Sequence, residues 1–396
     1  MRICIVTHKF VKGDGQGRVN YEILKEAVKR DIQLELYATE VAEEFLRYPN
    51  VHWVQIPVKG WPTQLLKNQI FALISSVLLL FKRRHYDLVV MNGFITWLSS
   101  DINVVHFVHS SWIKSKVHPF RLRKNGFGVY QFLFTSLNSL LEKWAYSRAR
   151  RLVPVSDKVK KELVAIGLAD RPFEVIYNGV SLEEFQPMDA EHPITRESLG
   201  LHGTGLLALF VGDIKSPRKN LDSVLKAMQR VPDLLLAVVG ADGESPYPTM
   251  AERLGLSKRV QFLGYRRDVA DIMKTVDFFV FPSRYEACTL VVLEAMASGL
   301  PVITSYQSGV ADLVSMSDRD GVTAGFVLED SENRTDLANL MVFLSQDADM
   351  RKKMAEQARR VAEQFSWRIM AERYLNLFEQ AVSEKDSRGV REMKTI

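Results

Sequence analysis

The sequence predicts an α/β protein built from two doubly wound parallel sheets. Three observations carry that reading. At 396 residues the chain is longer than one ordinary domain and fits two. In the C-terminal half short apolar runs, glycine-bearing loops and amphipathic stretches alternate, as β-α-β units do, and the N-terminal half begins the same way. Between the halves, residues 186–199 are polar and include Pro187 and Pro193, a linker composition. The boundary is placed near 188. Residues 1–188 then form a first domain, 189–365 a second, and 366–396 a final helix with a charged tail.

The first domain opens on a strand at 3–7. The loop Gly13-Asp14-Gly15-Gln16-Gly17 follows, then an amphipathic helix through Arg30. Further strands are predicted at 33–37, 88–91, 104–109 and 152–155, with a short one at 174–177. The segment 57–151 is less regular, with long apolar and basic helices. Its longest apolar run, 70–81, has twelve residues, two of them serine. That is too short to span a bilayer, and it reads as a buried or interfacial helix. In the second domain a strand at 206–211 leads into Gly212 and a helix at 221–230. A strand at 234–239 leads into Gly240, and one at 260–263 into Gly264 and a helix to Val276. Strands at 277–281 and 302–304 complete the alternation. Residues 367–382 are amphipathic, and the charged tail after Glu384 is expected to be disordered.

Composition and charge narrow the function. With 47% apolar and 25% charged residues, the chain has an ordinary globular composition. Cys4 and Cys288 form neither a disulfide framework nor a metal pattern, which suits a reducing cytosol. The start, Met1-Arg2-Ile3-Cys4-Ile5-Val6, reads as a strand and not as a signal peptide. The net charge of +5 is uneven: residues 51–151 hold 14 Lys and Arg against 3 Asp and Glu. Such a block suits a nucleic acid, an anionic membrane or an acidic substrate. No nucleic-acid module pattern accompanies it.

The most informative stretch is Pro282-Ser-Arg-Tyr-Glu286-Ala-Cys-Thr-Leu-Val-Val-Leu-Glu294-Ala-Met-Ala-Ser-Gly299-Leu-Pro301. The apolar residues before Pro282 read as a buried strand. A helix from about Thr289 stops at Gly299, with Pro301 beyond. Glu286 therefore sits at the carboxyl end of a strand, the edge where open α/β sheets bind ligands, and Glu294 lies just over a turn into the helix. Taken singly, Glu286 reads as a residue complementing the helix dipole and Glu294 as a solvated helix glutamate. Together, at this spacing and with these flanks, they read as a site.

This segment resembles the donor motif of the family 4 glycosyltransferases, retaining enzymes of the GT-B fold, written Glu, seven residues, Glu. The resemblance is strong over 206–304, fair around 153–156 and 175–180, and weak over 40–150. It implies two facing Rossmann-like domains with the last helix crossing back to the first. It gives Glu286 the donor sugar and Glu294 the ribose hydroxyls. It gives Lys219, with Arg218, the departing diphosphate, which needs cations already in place. The family has an Arg directly after the strand's glycine, Gly212, where this chain has Asp213. Arg218 either supplies that charge or pairs with Asp213. Of two candidate histidines, His109 is favoured over His106 for the donor sugar. Tyr265 and Arg266 resemble the loop flanking the base, and Gly15 and Gly17 a backbone approach to phosphate or acceptor. Ser156 and Asn178-Gly179 match positions near the hinge.

The expected activity is transfer of a sugar, with retention, from a nucleotide diphosphate sugar to a saccharide or lipid-linked acceptor. No metal or other cofactor is expected, since no Asp-x-Asp pair stands in a suitable loop and no His/Cys cluster is visible. The alternatives are a non-catalytic nucleotide-sugar-binding module, suggested by Asp213 and Cys288, and a nucleotide-sugar epimerase. A dehydrogenase lacks its glycine fingerprint. In 57–151, Trp61, Trp97, Trp112 and Trp144 stand among Lys and Arg. This segment is either core with solvated charges or a surface for an anionic membrane. In the second case the protein is cytoplasmic and peripheral to the inner face of the cell membrane. No nucleic-acid partner is expected.

Overall fold

The structure is a computed structural model. It describes every residue except Asp14, Ala190, His192 and 394–396, with the backbone alone described for 388–393. The chain divides into two compact units: Met1–Asn178 with Trp367–Ile396, and Gly179–Ser366. The division falls at Asn178, ahead of the polar 186–199 linker.

The sheet of the first unit has strands β1 Arg2–Val6, β2 Gln33–Ala38, β3 Val51–Gln55, β4 Leu88–Asn92, β5 Ile102–Val105 and β6 Arg151–Pro154. They lie in the order β3-β2-β1-β4-β5-β6, and every pairing is parallel. Central β1 places Ile3 between Leu34 and Leu88. Its run of four buried residues reflects a strand covered on both faces. The helices are α1 Gly15–Ala27, α2 Gln64–Lys82, α3 His109–Trp112, α4 Pro119–Leu122, α5 Gly126–Ser147 and α6 Asp157–Leu163. Ser156 caps α6, its Oγ accepting the Val159 N–H at 3.2 Å.

The second unit repeats the plan. Its strands are β7 Leu207–Val211, β8 Leu235–Val239, β9 Val260–Phe262, β10 Phe278–Phe281, β11 Val302–Ser305 and β12 Gly325–Leu328. Their order is β9-β8-β7-β10-β11-β12, again all parallel. Its helices are α7 Leu221–Met228, α8 Tyr247–Arg253, α9 Val269–Lys274, α10 Leu290–Ala297, α11 Ala311–Val314, α12 Arg334–Gln346 and α13 Ala348–Ala362. The strand order reverses direction between β7 and β10, which makes a switch point at their carboxyl ends. A last helix, α14 Trp367–Met393, returns the chain to the first unit. There Arg18 lies over the Trp367 ring, and Tyr374, Leu375 and Phe378 are buried.

Several local expectations are corrected. Gly15 and Gly17 are not in a loop but open α1, where Arg18 pairs with Glu22 one turn on at 2.7 Å. The predicted 104–109 strand ends at Val105, and His109 begins α3, because Glu142 accepts its backbone N–H at 3.0 Å. No strand forms at 174–177; Phe173 makes an isolated bridge to Leu152. The tail beyond Glu384 continues as α14 to Met393. Glu384 pairs with Arg151 at 3.0 Å, and Lys385 donates to the Asp87 carbonyl at 2.9 Å. The apolar run belongs to a longer helix, α2, which by length and composition is long enough to cross a membrane.

Candidate active site

At the switch point of the second sheet a cavity of about 540 Å³ opens, lined by Gly212, Lys219, Tyr265, Arg266, Glu286 and Glu294 among others. Gly212, Tyr265 and Glu286 come from loops after strands, Lys219 from a 3-10 turn and Glu294 from the second turn of α10. Gly212 follows β7, and a methyl there would stand 3.2 Å from the Phe281 ring; a methyl on Gly240 would stand 2.2 Å from the Gly212 carbonyl oxygen. Gly240 admits only glycine if the loops after β7 and β8 are to pack this closely, while a larger residue at Gly212 requires the Phe281 ring to shift by a few tenths of an ångström.

The loop after β10 carries Glu286. Its backbone N–H donates to the Gln307 carbonyl at 3.0 Å, tying it to the loop after β11. Glu294 projects from α10, which Gly299 ends at φ +73°. The paired carboxylates thus line one cavity, as the spacing predicts.

Arg218 and Lys219 do not open a helix. They lie on a 3-10 turn, Pro217–Lys219, and Asn220 at φ 67° separates that turn from α7. Buried Asn220 holds this left-handed conformation by donating Nδ2 to the Pro282 carbonyl at 2.8 Å and the Ser331 carbonyl at 2.7 Å. The turn therefore aims both cations at Glu286. Lys219 Nζ forms a short ion pair with Glu286 Oε1, and Arg218 Nε stands 3.7 Å from the same oxygen. The Lys219 and Glu286 side chains are only 15% and 12% exposed.

One residue inside the motif organises this turn without lining the cavity. Arg284 Nη1 donates to the Pro217 carbonyl at 2.7 Å, and its backbone N–H to the Arg218 carbonyl at 2.8 Å. Its guanidinium also spans Asp222 (2.7 and 3.0 Å) and Glu332 (3.0 Å, with a shorter second contact). Burial pushes the Asp222 carboxyl up, but hydrogen bonds from Arg284 and its charge outweigh that and hold it below the ordinary range. Burial likewise opposes the Arg284 charge, and Glu332 and Asp222 override it, raising its pKa. Sequence reading missed this hub, because Asp222 and Glu332 stand 62 and 48 residues from Arg284.

Tyr265 is exposed on the cavity rim. Arg266 lines the cavity too, but pairs with Asp268 at 2.7 Å and donates to the Leu199 carbonyl at 3.1 Å. Arg267, Glu184 and Phe185 join the lining and were not singled out from sequence. Asp213 lies outside the lining; its Oδ1 accepts the Lys215 N–H at 3.0 Å in its own loop. Among the described residues, no group of three His, Cys, Asp or Glu is arranged to hold a metal.

The remaining candidates belong to the first unit. His109 Nδ1 stands 2.6 Å from Glu142 Oε1, while Glu142 Oε2 accepts the His109 backbone N–H. Phe107 and Phe134 flank the ring edge-on at 5.0 and 5.9 Å between centroids. Glu142 thus fixes the ring, placing the Nδ1 proton in the bond between them. His106 Nε2 instead approaches Asn92 at 3.4 Å. Gly15 is exposed at the start of α1 and Gly17 is buried in its first turn.

Comparison with known proteins identifies the family and the fold. Residues 191–361 match the model of glycosyl transferases group 1, and residues 13–184 that of glycosyltransferase family 4. The D-inositol 3-phosphate glycosyltransferase of Mycobacterium marinum is 29% identical over 94% of this chain and 83% of its own length. Its Corynebacterium kroppenstedtii counterpart is 28% identical over 84% and 77%. In fold, the chain superposes on WaaG, a glycosyltransferase involved in lipopolysaccharide biosynthesis, with TM-score 0.73 at 21% identity, covering 95% of this chain and 99% of that one. Sucrose-phosphate synthase of Thermosynechococcus elongatus gives 0.76 at 17%, with 97% and 99% covered. Anabaena HepE, solved with UDP and glucose, gives 0.68 at 20%, with 96% and 99% covered.

Proposed function

We propose, from the premise that this chain belongs to the family 4 glycosyltransferases and has the GT-B fold, that it moves a hexosyl group, with retention, from a nucleotide diphosphate sugar to a saccharide or lipid-linked acceptor. The observation that carries the reading is that Lys219, Glu286 and Glu294 line one cavity, with Arg218 Nε 3.7 Å from the Glu286 carboxylate. Transfer breaks the bond from the anomeric carbon to a diphosphate oxygen. Positive charge builds on the sugar and negative charge on the departing diphosphate. Lys219 and Arg218, preset by the 3-10 turn, stabilise that anion. No metal is part of the proposal, because these side chains carry the compensating charge. Glu286 accepts a sugar hydroxyl and so orients the anomeric carbon. Glu294 takes the ribose diol, and Tyr265 and Arg266 the base side. His109, its ring held by Glu142, is given the donor sugar by the family resemblance alone. Neither Cys4 nor Cys288 is in a disulfide, and a reducing cytoplasmic setting is part of the reading.

The proposal is tested by incubating the protein with a panel of nucleotide diphosphate sugars and mixed acceptors. Transfer is followed by mass spectrometry and anomeric configuration by proton NMR. A thermal shift with one donor family, followed by an α product from an α donor, supports it. Inversion, or epimerised donor with no acceptor dependence, overturns it. Glu294→Ala supplies a sharper check. Ribose contacts are the same in ground and transition states, so KM for the donor rises by about tenfold while kcat changes little. A fall in kcat with KM unchanged would remove Glu294 from the ribose.

A further inference from the structure

Helix α2 is buried on one face only. Phe71 and Leu79 enter a core cluster with Cys4, Val6 and Tyr37. Ser75 Oγ donates to the Ile95 carbonyl at 2.8 Å, and Ser76 bonds Thr96 at 2.9 Å. The opposite face is not polar. Leu66, Leu73, Val77, Leu80 and Phe81 recur at helical spacing and are exposed, Leu80 by 64% and Phe81 by 77%. Single exposed leucines are ordinary, but an apolar stripe of about four turns is not. The helix holds no Asp or Glu, and Lys82, Arg83 and Arg84 cluster at its end.

The stripe continues onto neighbouring elements. The Leu65 N–H donates to Tyr130 Oη at 3.3 Å, setting the start of α2 against α5. Phe120 of α4 and Phe132 of α5 lie 4.8 Å apart between ring centroids. Val129, Leu133 and Leu140 are exposed along α5, and Leu122 on α4. From residue 102 to 141 there is no Asp or Glu. Within that stretch Lys114, Lys116, Arg121, Arg123 and Lys124 are all exposed.

We infer that this face of the first unit is a docking surface for an anionic lipid bilayer. An apolar stripe edged by cations, on α2 and residues 102–141 that hold no Asp or Glu, matches the boundary between acyl chains and negative headgroups, although Lys82 itself pairs with Glu35 at 2.8 Å. A second copy of the chain would bring the same cations to a self-complementary contact, where like charges oppose association. Although α2 is long enough to cross a membrane, Phe71, Ser75 and Leu79 belong to the core of the unit. Spanning would strip them from the sheet, so the helix lies in the interfacial plane. The inference deepens the proposed function by placing a lipid-borne acceptor, and rests on that reading for the acceptor alone; docking itself requires no donor.

The test is co-sedimentation of the full chain with vesicles of mixed phosphatidylglycerol and phosphatidylcholine, against phosphatidylcholine alone, at low and high salt. The protein is expected to bind the anionic vesicles and to release as salt rises. Leu80→Asp with Phe81→Asp lowers binding at least tenfold. Lys114→Gln and Lys116→Gln each lower it about fivefold, the equivalent of one headgroup-facing cation. All four positions are exposed, and donor-induced thermal shift in the absence of lipid stays at the wild-type value. Absence of vesicle binding overturns the inference, as does binding indifferent to lipid charge and salt. A concentration-dependent dimer that Leu80→Asp with Phe81→Asp dissociates, without vesicle binding, also overturns it and assigns the face to self-association. Vesicle binding without sugar transfer to any acceptor leaves the docking surface standing and removes the transferase reading.

Discussion

Lys219→Ala is expected to lower kcat by about 10²–10³, the cost of removing one preorganised donor from a developing anion. The structure gives the reason for a loss of that size. Lys219 is the cation closest to Glu286, its side chain is 15% exposed, and the 3-10 turn fixes its backbone. In so dry a position a unit charge acts through a lower effective dielectric than at the surface. Arg218, at 3.7 Å from Glu286, remains in the variant and limits the loss. Glu286→Gln should also reduce kcat strongly, because an amide holds a sugar hydroxyl less firmly than a carboxylate. Since the two side chains touch, the double variant should lose less than the product of the single losses. Single-turnover rates with donor in excess measure all three. A Lys219→Ala rate within threefold of wild type removes Lys219 from the leaving group.

Arg284→Met is expected to destabilise the second unit by about 3 kcal/mol, the lower end of the cost of leaving a buried ion-pair partner alone. The lower end applies because Glu332, 39% exposed, keeps part of its hydration. Asp222, at 19%, keeps little. The pH dependence gives the mechanism a signature. In the wild type the Asp222 pKa is depressed on folding, so its contribution is present above the ordinary carboxylate range and is lost as pH falls through the folded value. Without Arg284, burial of the Asp222 carboxyl is opposed only by the Lys226 ion pair at 3.4 Å, and the folded pKa rises above its wild-type value. The variant's penalty is then full at neutral pH and fades as Asp222 protonates. Thermal melts at about pH 7 and about pH 4.5, read on the transition that donor binding shifts, should show the gap narrowing in acid. A gap that is constant or widens contradicts this account. Since Arg284 also holds the Pro217 carbonyl, surviving folded variant should lose kcat through misplaced Lys219.

The site was legible wherever its residues share one strand, loop and helix. Glu286 and Glu294 are eight positions apart on a single β-loop-α unit, so periodicity alone brings them to one edge of the sheet. The parallel sheets were legible for a similar reason, as most of their strands are buried runs and β4, β7 and β8 pass directly into Gly93, Gly212 and Gly240. What escaped was set by contacts distant in sequence. His109 is turned out of its strand by Glu142, 33 residues away. Arg284 sits in plain view within the motif, but its acidic partners come from α7 and from the segment before α12. Gly15 and Gly17 were misplaced because glycine clusters mark turns more often than helix starts, and only the Arg18 contacts show the helix already under way.

The return of α14 to the first unit bears on the order in which the protein can be made. The first unit is interrupted in sequence by the whole of the second. During synthesis, residues 179–366 emerge complete and are free to fold locally, while the earlier half waits with the α14 side of α1 uncovered. Tyr374, Leu375 and Phe378, which are buried in the finished protein, are supplied only after the whole of the second unit has been translated. The nascent first unit is thus the stage at which apolar surface stays open longest and a chaperone is most needed.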